Sequence, residues 1–395
     1  MSVTPASEPP KVSPLYDPKI RSIAYQVLLC AFVVGLIGFA IKNAADNLAR
    51  AKIASGFGFW NNLAGFDISQ HLIPYSSVTS TYGDAFWVGL LNTLLVAVLG
   101  IILATVLGFG VGIARLSKNY LVSRIANGYV EIIRNLPLLL QLLFWYNAVL
   151  KALPQVRDSV AIPGGLLLNN RGLFLPAFTF NYGGQLLLGA IGAAIVGGLA
   201  FRFWAKRQQI TTGKQYPTFL VFLGLLIGLP FLVLLAGQVS VSVAYPEASR
   251  FNIRGGTEIL PEFVALLLGL VIYTAAFIGE VVRAGILAVS KGQTEAANAL
   301  GLRGGPTLRL VVIPQAMRVI IPPLTNQYLN LTKNSSLAVA VGYPDLVQIF
   351  TGTVLNQTNQ AVEVVVITMA VYLTISLVTS IGMNWYNSRK ALVER

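Results

Sequence analysis

The chain has 395 residues, of which 55% are hydrophobic and only 11% charged, and it carries a net charge of +13. So few charges cannot cover the water-facing surface of a soluble protein of this length, which excludes a soluble globular domain and points to the lipid bilayer. The excess positive charge does not indicate nucleic acid, because it lies in short segments between apolar runs and not in a basic groove interleaved with aromatics.

A spanning helix needs about 20 mostly apolar residues. About eight stretches qualify, near residues 23–41, 86–114, 127–150, 185–204, 218–240, 262–285, 317–341 and 363–386. They predict an all-α polytopic membrane protein. Ahead of the first run, residues 1–22 contain Pro5, Pro9, Pro10, Pro14 and Pro18 and read as a disordered cytoplasmic tail. Lys19 and Arg21 precede the run as they would in a signal peptide, but no small-x-small cleavage site follows, so a retained helix is expected. Residues 23–85 then comprise this extra helix and an expected periplasmic segment carrying Gly56, Gly58, Trp60, Phe66 and the lone histidine, His71. One histidine cannot assemble a metal site. The lone cysteine, Cys30, excludes an intrachain disulfide.

Loop charges set the orientation. Arg115, Lys118 and Arg124 form one cluster, followed by Arg202, Lys206, Arg207 and Lys214, then Lys291, Arg303 and Arg309, then Arg389, Lys390 and Arg395. Alternating spans put every cluster on the cytoplasmic face, and both termini with them. Gly108, Gly110 and Gly112 follow no strand, so they read as small residues for close helix packing and not as a nucleotide fingerprint. No Gly-x-x-x-x-Gly-Lys-Ser/Thr occurs, since Gly213-Lys214 lacks the earlier glycine and runs into Gln215. The chain therefore has no ATP site and no expected catalytic residue.

Polar residues inside the apolar runs mark candidate sites. Glu131 and Arg134 are three apart on a helix, as are Glu280 and Arg283, so each pair shares a face and is expected to neutralise itself near the cytoplasmic boundary. Pro137 and the pair Pro322-Pro323 are expected to kink their helices or to interrupt them beside a cavity. Lys333 lies about 15 residues in from Arg318, which at roughly 1.5 Å per residue is near the middle of an approximately 30 Å core. It sits among Asn326, Asn330, Asn334, Ser335 and Ser336. Asn326, Asn330 and Lys333 repeat at helical spacing and could line a wet translocation path, with Asn334 and Ser335 beside them. Lys333 could equally neutralise a carboxylate of this or a neighbouring subunit.

Residues 291–314 are polar and punctuated by glycine between two apolar runs, the kind of segment a soluble partner can grip. Glu295, Ala296 and Ala297, then Gly301, then Val311, Ile313 and Pro314 resemble the EAA signature of ABC importer permeases. Upstream, Tyr129–Tyr146 resembles the Glu-x-x-Arg-x-x-Pro-Leu-x-x-Gln segment of the polar amino acid permeases in that group. Lys291-Gly292-Gln293, Pro314-Gln315-Ala316 and Lys333-Asn334-Ser335-Ser336-Leu337 continue the likeness.

The resemblance covers residues 86–150 and 262–386 and implies a five-helix type I importer core in two parts, 86–150 and 262–395. Residues 151–261 would be an insertion with two helices and no pattern shared with the core, expected to pack peripherally. Such an enlarged subunit resembles the Q-type permease of general L-amino-acid importers. It implies ATPase coupling through Glu295, Ala296, Ala297, Gly301 and Pro314 in the bacterial inner membrane. The implied partners are a second, different permease, an ABC ATPase dimer that binds ATP and Mg, and a periplasmic amino-acid-binding protein. An ion-coupled secondary transporter is the rival reading, and it would need an internal repeat and its own coupling-ion site.

Overall fold

The protein is described here by a computed structural model covering residues 18–50, 56–182, 184–236, 240–249 and 252–390. The tail through residue 17 and both chain ends, whose cytoplasmic placement the charges predict, lie outside the described residues. Among the described residues, seven helices are long and apolar enough to cross a bilayer, or up to eight crossings if a bent pair forms one.

The first helix, α1 (Pro18–Arg50), carries apolar side chains open on all sides, with Leu28, Phe32 and Phe39 each more than 60% exposed. In water that would be untenable, whereas in lipid it costs nothing. The next span, α2 (Tyr82–Arg115), ends in its only basic residue. The predicted helix over 127–150 is broken. In its place α3 (Tyr120–Asn135) and α4 (Leu138–Leu143), with a π-type continuation Phe144–Leu150, meet at 106°.

Pro137 makes the break, because the residue before a proline is driven out of helical geometry, and Leu136 is extended at φ −99°, ψ 130°. The buried Gln141 stabilises the corner by donating from Nε2 to the carbonyls of Ile133 and Leu136, each at 3.0 Å. The Pro-Leu-x-x-Gln spacing is thus a bend with its own side-chain brace.

The insertion contains more than two helices. Four short strands, β1 (Val160–Ile162), β2 (Leu166–Asn169), β3 (Gly172–Leu175) and β4 (Ala177–Tyr182), precede α5 (Gly184–Thr212) and α6 (Thr218–Leu235). After them come β5 (Ser240–Ala244), β6 (Glu247–Ala248), β7 (Ile253–Arg254) and β8 (Thr257–Ile259). One antiparallel sheet has the order β1-β2-β3-β8, so the two ends of the insertion are stitched together, with Leu173 opposite Ile259. Gly172 is required at that seam, since a Cβ there would meet the Ile259 carbonyl oxygen at 2.2 Å. These strands are two to six residues long, too short to stand out beside the apolar helices that they flank.

The core resumes with α7 (Pro261–Leu287), α8 (Lys291–Ala299), α9 (Gly304–Thr307), a π-type turn Leu308–Val312 and α10 (Ile313–Asn334). Pro322 and Pro323 neither stop α10 nor interrupt it. A short α11 (Leu355–Thr358) and the last span, α12 (Ala361–Lys390), complete the chain.

Two compact units divide these elements, residues 1–90 with 346–375 and residues 91–345 with 376–395. In the first, an aromatic cluster of Phe59, Trp60, Phe86 and Phe350 packs with Ala85, Val88 and Leu346. Within the same unit Tyr75 donates to the Phe66 carbonyl at 3.0 Å. Burial, reinforced by Asp67 and Asp84, pushes its phenol up to about 12, so it stays a neutral donor at any ordinary pH. His71 is exposed, its Nδ1 3.0 Å from the Ile73 carbonyl.

The second unit is centred on α7, whose Leu266, Leu270, Ile278 and Val282 are buried against α2, α4 and α10 residues such as Val96, Leu142 and Ile320. Gly108 and Gly112 let α2 approach closely, since Cβ atoms there would sit 2.6 and 2.7 Å from Ile278 and Val282. Gly110 faces open space and has no such role.

Candidate coupling and translocation sites

The segment after α7 is built to stop and turn. Ser290, extended at ψ 140°, leads into α8, of which Ala297 alone is buried while Glu295 and Ala296 stay exposed. Gly301 closes the helix in the left-handed region at φ 77°. Its N–H donates to Asn298 at 2.9 Å, and the Leu302 N–H donates back to Ala297 at 3.1 Å. This is the paired arrangement of a Schellman cap, which satisfies two carbonyls that the helix end would otherwise leave bare. Leu300, carried out by the turn, is 82% exposed, and Leu308 and Leu310 are also exposed. Gln315 Nε2 donates to Gln293 Oε1 at 3.1 Å, tying the start of α10 to α8. Pro314 is exposed in the first turn of α10.

A second feature joins three helices. Glu280 of α7 accepts from Arg115 of α2 and, at 2.6 Å, from Arg283 of its own helix, with Arg134 of α3 3.9 Å away. The Arg115 side chain is only 9% exposed. The expected pair Glu280–Arg283 forms, but Glu131–Arg134 does not. Arg134 turns instead to Glu280 and stacks over Phe277 at 5.1 Å, and Glu131, exposed on α3, has no ion pair among the described residues. Equal spacing on two helices thus gave different outcomes, because one carboxylate lies where three helices converge and the other lies on an open face. Arg115 was legible only as a loop charge, and its spacing from Glu280 of 165 residues carries no local signal. These side chains line a polar cleft of ≈ 430 Å³.

The third feature is the polar stretch of α10. Asn326, Asn330 and Lys333 are all exposed and, at spacings of four and three, share one helical face. Asn334 is half-buried. Ser335 is fully buried and donates to the Thr332 carbonyl at 2.7 Å, unlike the exposed Asn326, Asn330 and Lys333. The chain tightens into a 3-10 turn at Ser335–Ala340, which rolls that side chain inward. Lys333 has no carboxylate partner among the described residues.

Comparison with known proteins assigns the family. Residues 210–391 match the binding-protein-dependent transport system inner membrane component family. The chain is 51% identical, over 97% of its length and 95% of the relative's, to the general L-amino acid transport system permease protein AapQ of Rhizobium johnstonii. The chain belongs to the ABC amino acid permeases. It is 49% identical to the putative amino-acid ABC transporter permease protein YhdX of Escherichia coli, over 96% of each chain. It is also 43% identical, over 99% of each chain, to the glutamate/glutamine/aspartate/asparagine transport system permease protein BztB of Rhodobacter capsulatus. This ABC permease is a multi-pass protein of the inner membrane, and the rival reading as an ion-coupled secondary transporter falls away. The matches to all three relatives run through the insertion as well as the core.

Proposed function

We propose that this permease forms half of the translocation pathway of an ATP-driven amino acid importer and couples to a separate ATPase dimer through residues 291–314. The other half would be a second, different permease, and a periplasmic amino-acid-binding protein would deliver the substrate. ATP and Mg would be held by the ATPases. Both termini and the coupling segment would lie in the cytoplasm.

The observation that carries this reading is the surface of α8 and its cap. Glu295, Ala296 and Leu300 are exposed together on the capped end of α8, and with Leu308 and Leu310 on the turn packed against α8 they present a mixed apolar and acidic surface of the kind a soluble partner covers. Docked ATPases that close on ATP would move α8 as a lever, and the rotation would pass through the Gln293–Gln315 contact into α10. Replacing Glu295 with lysine should reverse the local charge and lower ATPase copurification about tenfold while membrane abundance holds. Unchanged copurification together with wild-type uptake would reject this docking surface.

Along α10, Asn326, Asn330 and Lys333 would line the pathway, their amides exchanging hydrogen bonds with a zwitterionic solute and the ammonium meeting its carboxylate. The absence of an ion-pair partner within the described part of this chain favours that role over internal neutralisation. Lys333→Met should keep the yield of assembled complex and lower uptake in proteoliposomes by about tenfold. Loss of assembly instead would assign Lys333 to pairing with the neighbouring permease.

A further inference from the structure

The insertion places an unusual set of side chains at the turn between α5 and α6. Arg202, Lys206 and Arg207 on α5 and Lys214 in the turn are all cationic, and no aspartate or glutamate occurs between Asp158 and Glu247. None of the four forms an ion pair among the described residues. With 29 residues, α5 is about 43 Å long at roughly 1.5 Å per residue, longer than the approximately 30 Å hydrocarbon core, so its basic end reaches the headgroup layer. Aromatic rings mark the same level, with Trp204 5.1 Å from Tyr216 and 5.5 Å from Phe201. Rings of this kind settle at the membrane interface.

Two adjoining cavities lie here, and they differ in chemistry. One of ≈ 390 Å³ is lined by Arg202, Lys206, Gln209, Gln215 and Tyr216, with Arg202, Lys206 and Gln209 on one face of α5. The other, of ≈ 310 Å³, runs toward the membrane interior between Gly198, Leu199, Phe219 and Phe222. Arg202 and Thr218 border both. A polar basic chamber opening onto an apolar groove matches a molecule with an anionic head and a hydrocarbon tail.

We propose that the α5–α6 turn is a binding site for one anionic phospholipid. Its phosphate is held by Arg202 and Lys206, and an acyl chain lies along Leu199, Phe219 and Phe222. The cations neutralise the phosphate, which replaces the carboxylates that this segment lacks, and the lipid tail fills the groove lined by both helices. The site requires only that α5 and α6 cross the membrane, so it stands or falls separately from the coupling and pathway roles.

The test uses the intact transporter complex, purified in detergent, stripped of lipid and titrated with dioleoyl phosphatidylglycerol or dioleoyl phosphatidylcholine, with bound lipid counted by native mass spectrometry. One phosphatidylglycerol per copy of this chain is expected to survive activation that removes phosphatidylcholine. The double variant Arg202→Gln/Lys206→Gln should lower that occupancy by about fivefold or more at unchanged complex yield. If the double variant assembles poorly, Lys206→Gln alone, at an exposed position, carries the comparison and should still lower occupancy about twofold. Equal retention of the two lipids, or wild-type phosphatidylglycerol occupancy in the variants, overturns the proposal. So does displacement of the lipid by inorganic phosphate, which would reduce the site to a simple anion pocket.

Discussion

Gly301→Val should abolish uptake while leaving the protein inserted in the membrane. The space around Gly301 is open, with no atom within 4 Å of where a Cβ would lie, so crowding is not the cause. The cause is the backbone at φ 77°, where an ordinary side chain costs roughly 1–2 kcal/mol and a β-branched one more. Relieving that strain would open the Gly301–Asn298 and Leu302–Ala297 hydrogen bonds, which would unseat the exposed Leu300 and redirect the chain after α8. If α8 is the proposed docking surface, a cost of about 1.4 kcal/mol there is already tenfold in affinity. Asparagine tolerates the left-handed region, so Gly301→Asn should retain most of the activity. Uptake assays alongside membrane abundance and ATPase copurification decide the matter. Valine and asparagine variants that lose activity equally would show that the side chain, and not the turn, is at fault.

The same glycine illustrates which parts of the molecule the sequence makes legible. Spans such as α2 and α7 announce themselves because a bilayer demands long uninterrupted apolar runs, and the spacing from Glu295 to Gly301 marks a helix and the residue that ends it. The Pro137 bend was foreseen as a kink, yet its size depends on Gln141 reaching back to two carbonyls, a contact set by three-dimensional geometry. The strands of the insertion are too short to stand out in sequence, and pairing such as β3 with β8 joins residues more than 80 apart in the chain, as Leu173 with Ile259 does. Ser335 adjoins the Asn326–Asn330–Lys333 face in sequence but lies just past the end of α10, where the 3-10 turn begins and its side chain is buried. The Glu280 cluster was half legible, since its i,i+3 partner Arg283 follows from spacing, whereas Arg115 and Arg134 arrive from other helices.

That cluster supports the second large effect, a loss of stability in Glu280→Gln. The glutamine keeps the shape of the side chain and removes its charge, leaving Arg115, Arg134 and Arg283 to face one another. Arg115 dominates the cost because its side chain is 9% exposed. Glu280, however, is 27% exposed in an open cleft and Arg115 keeps its hydrogen bond to Asn127, so the loss should fall below that of stranding one member of a fully buried pair, about 3 to 5 kcal/mol. Arg283 and Arg134 are 32% and 40% exposed, where solvent screens the loss to about 0–1 kcal/mol each. Glu280→Gln should therefore lower the thermal unfolding midpoint of the purified complex and its yield. Adding Arg115→Gln should recover much of the loss, since it removes the stranded charge. Arg134→Gln alone should change little, and its double variant with Glu280→Gln should behave as Glu280→Gln does. The joint α2–α3–α7 anchor also lines the cleft beside the bend from α3 to α4, so its loss would loosen α3 against α7, which Tyr129, donating to the Ile272 carbonyl at 2.6 Å, would still hold. A Glu280→Gln complex with wild-type midpoint and yield would mean that the three guanidinium groups are neutralised from outside this chain, and the anchor would have to be reassigned to the assembled transporter.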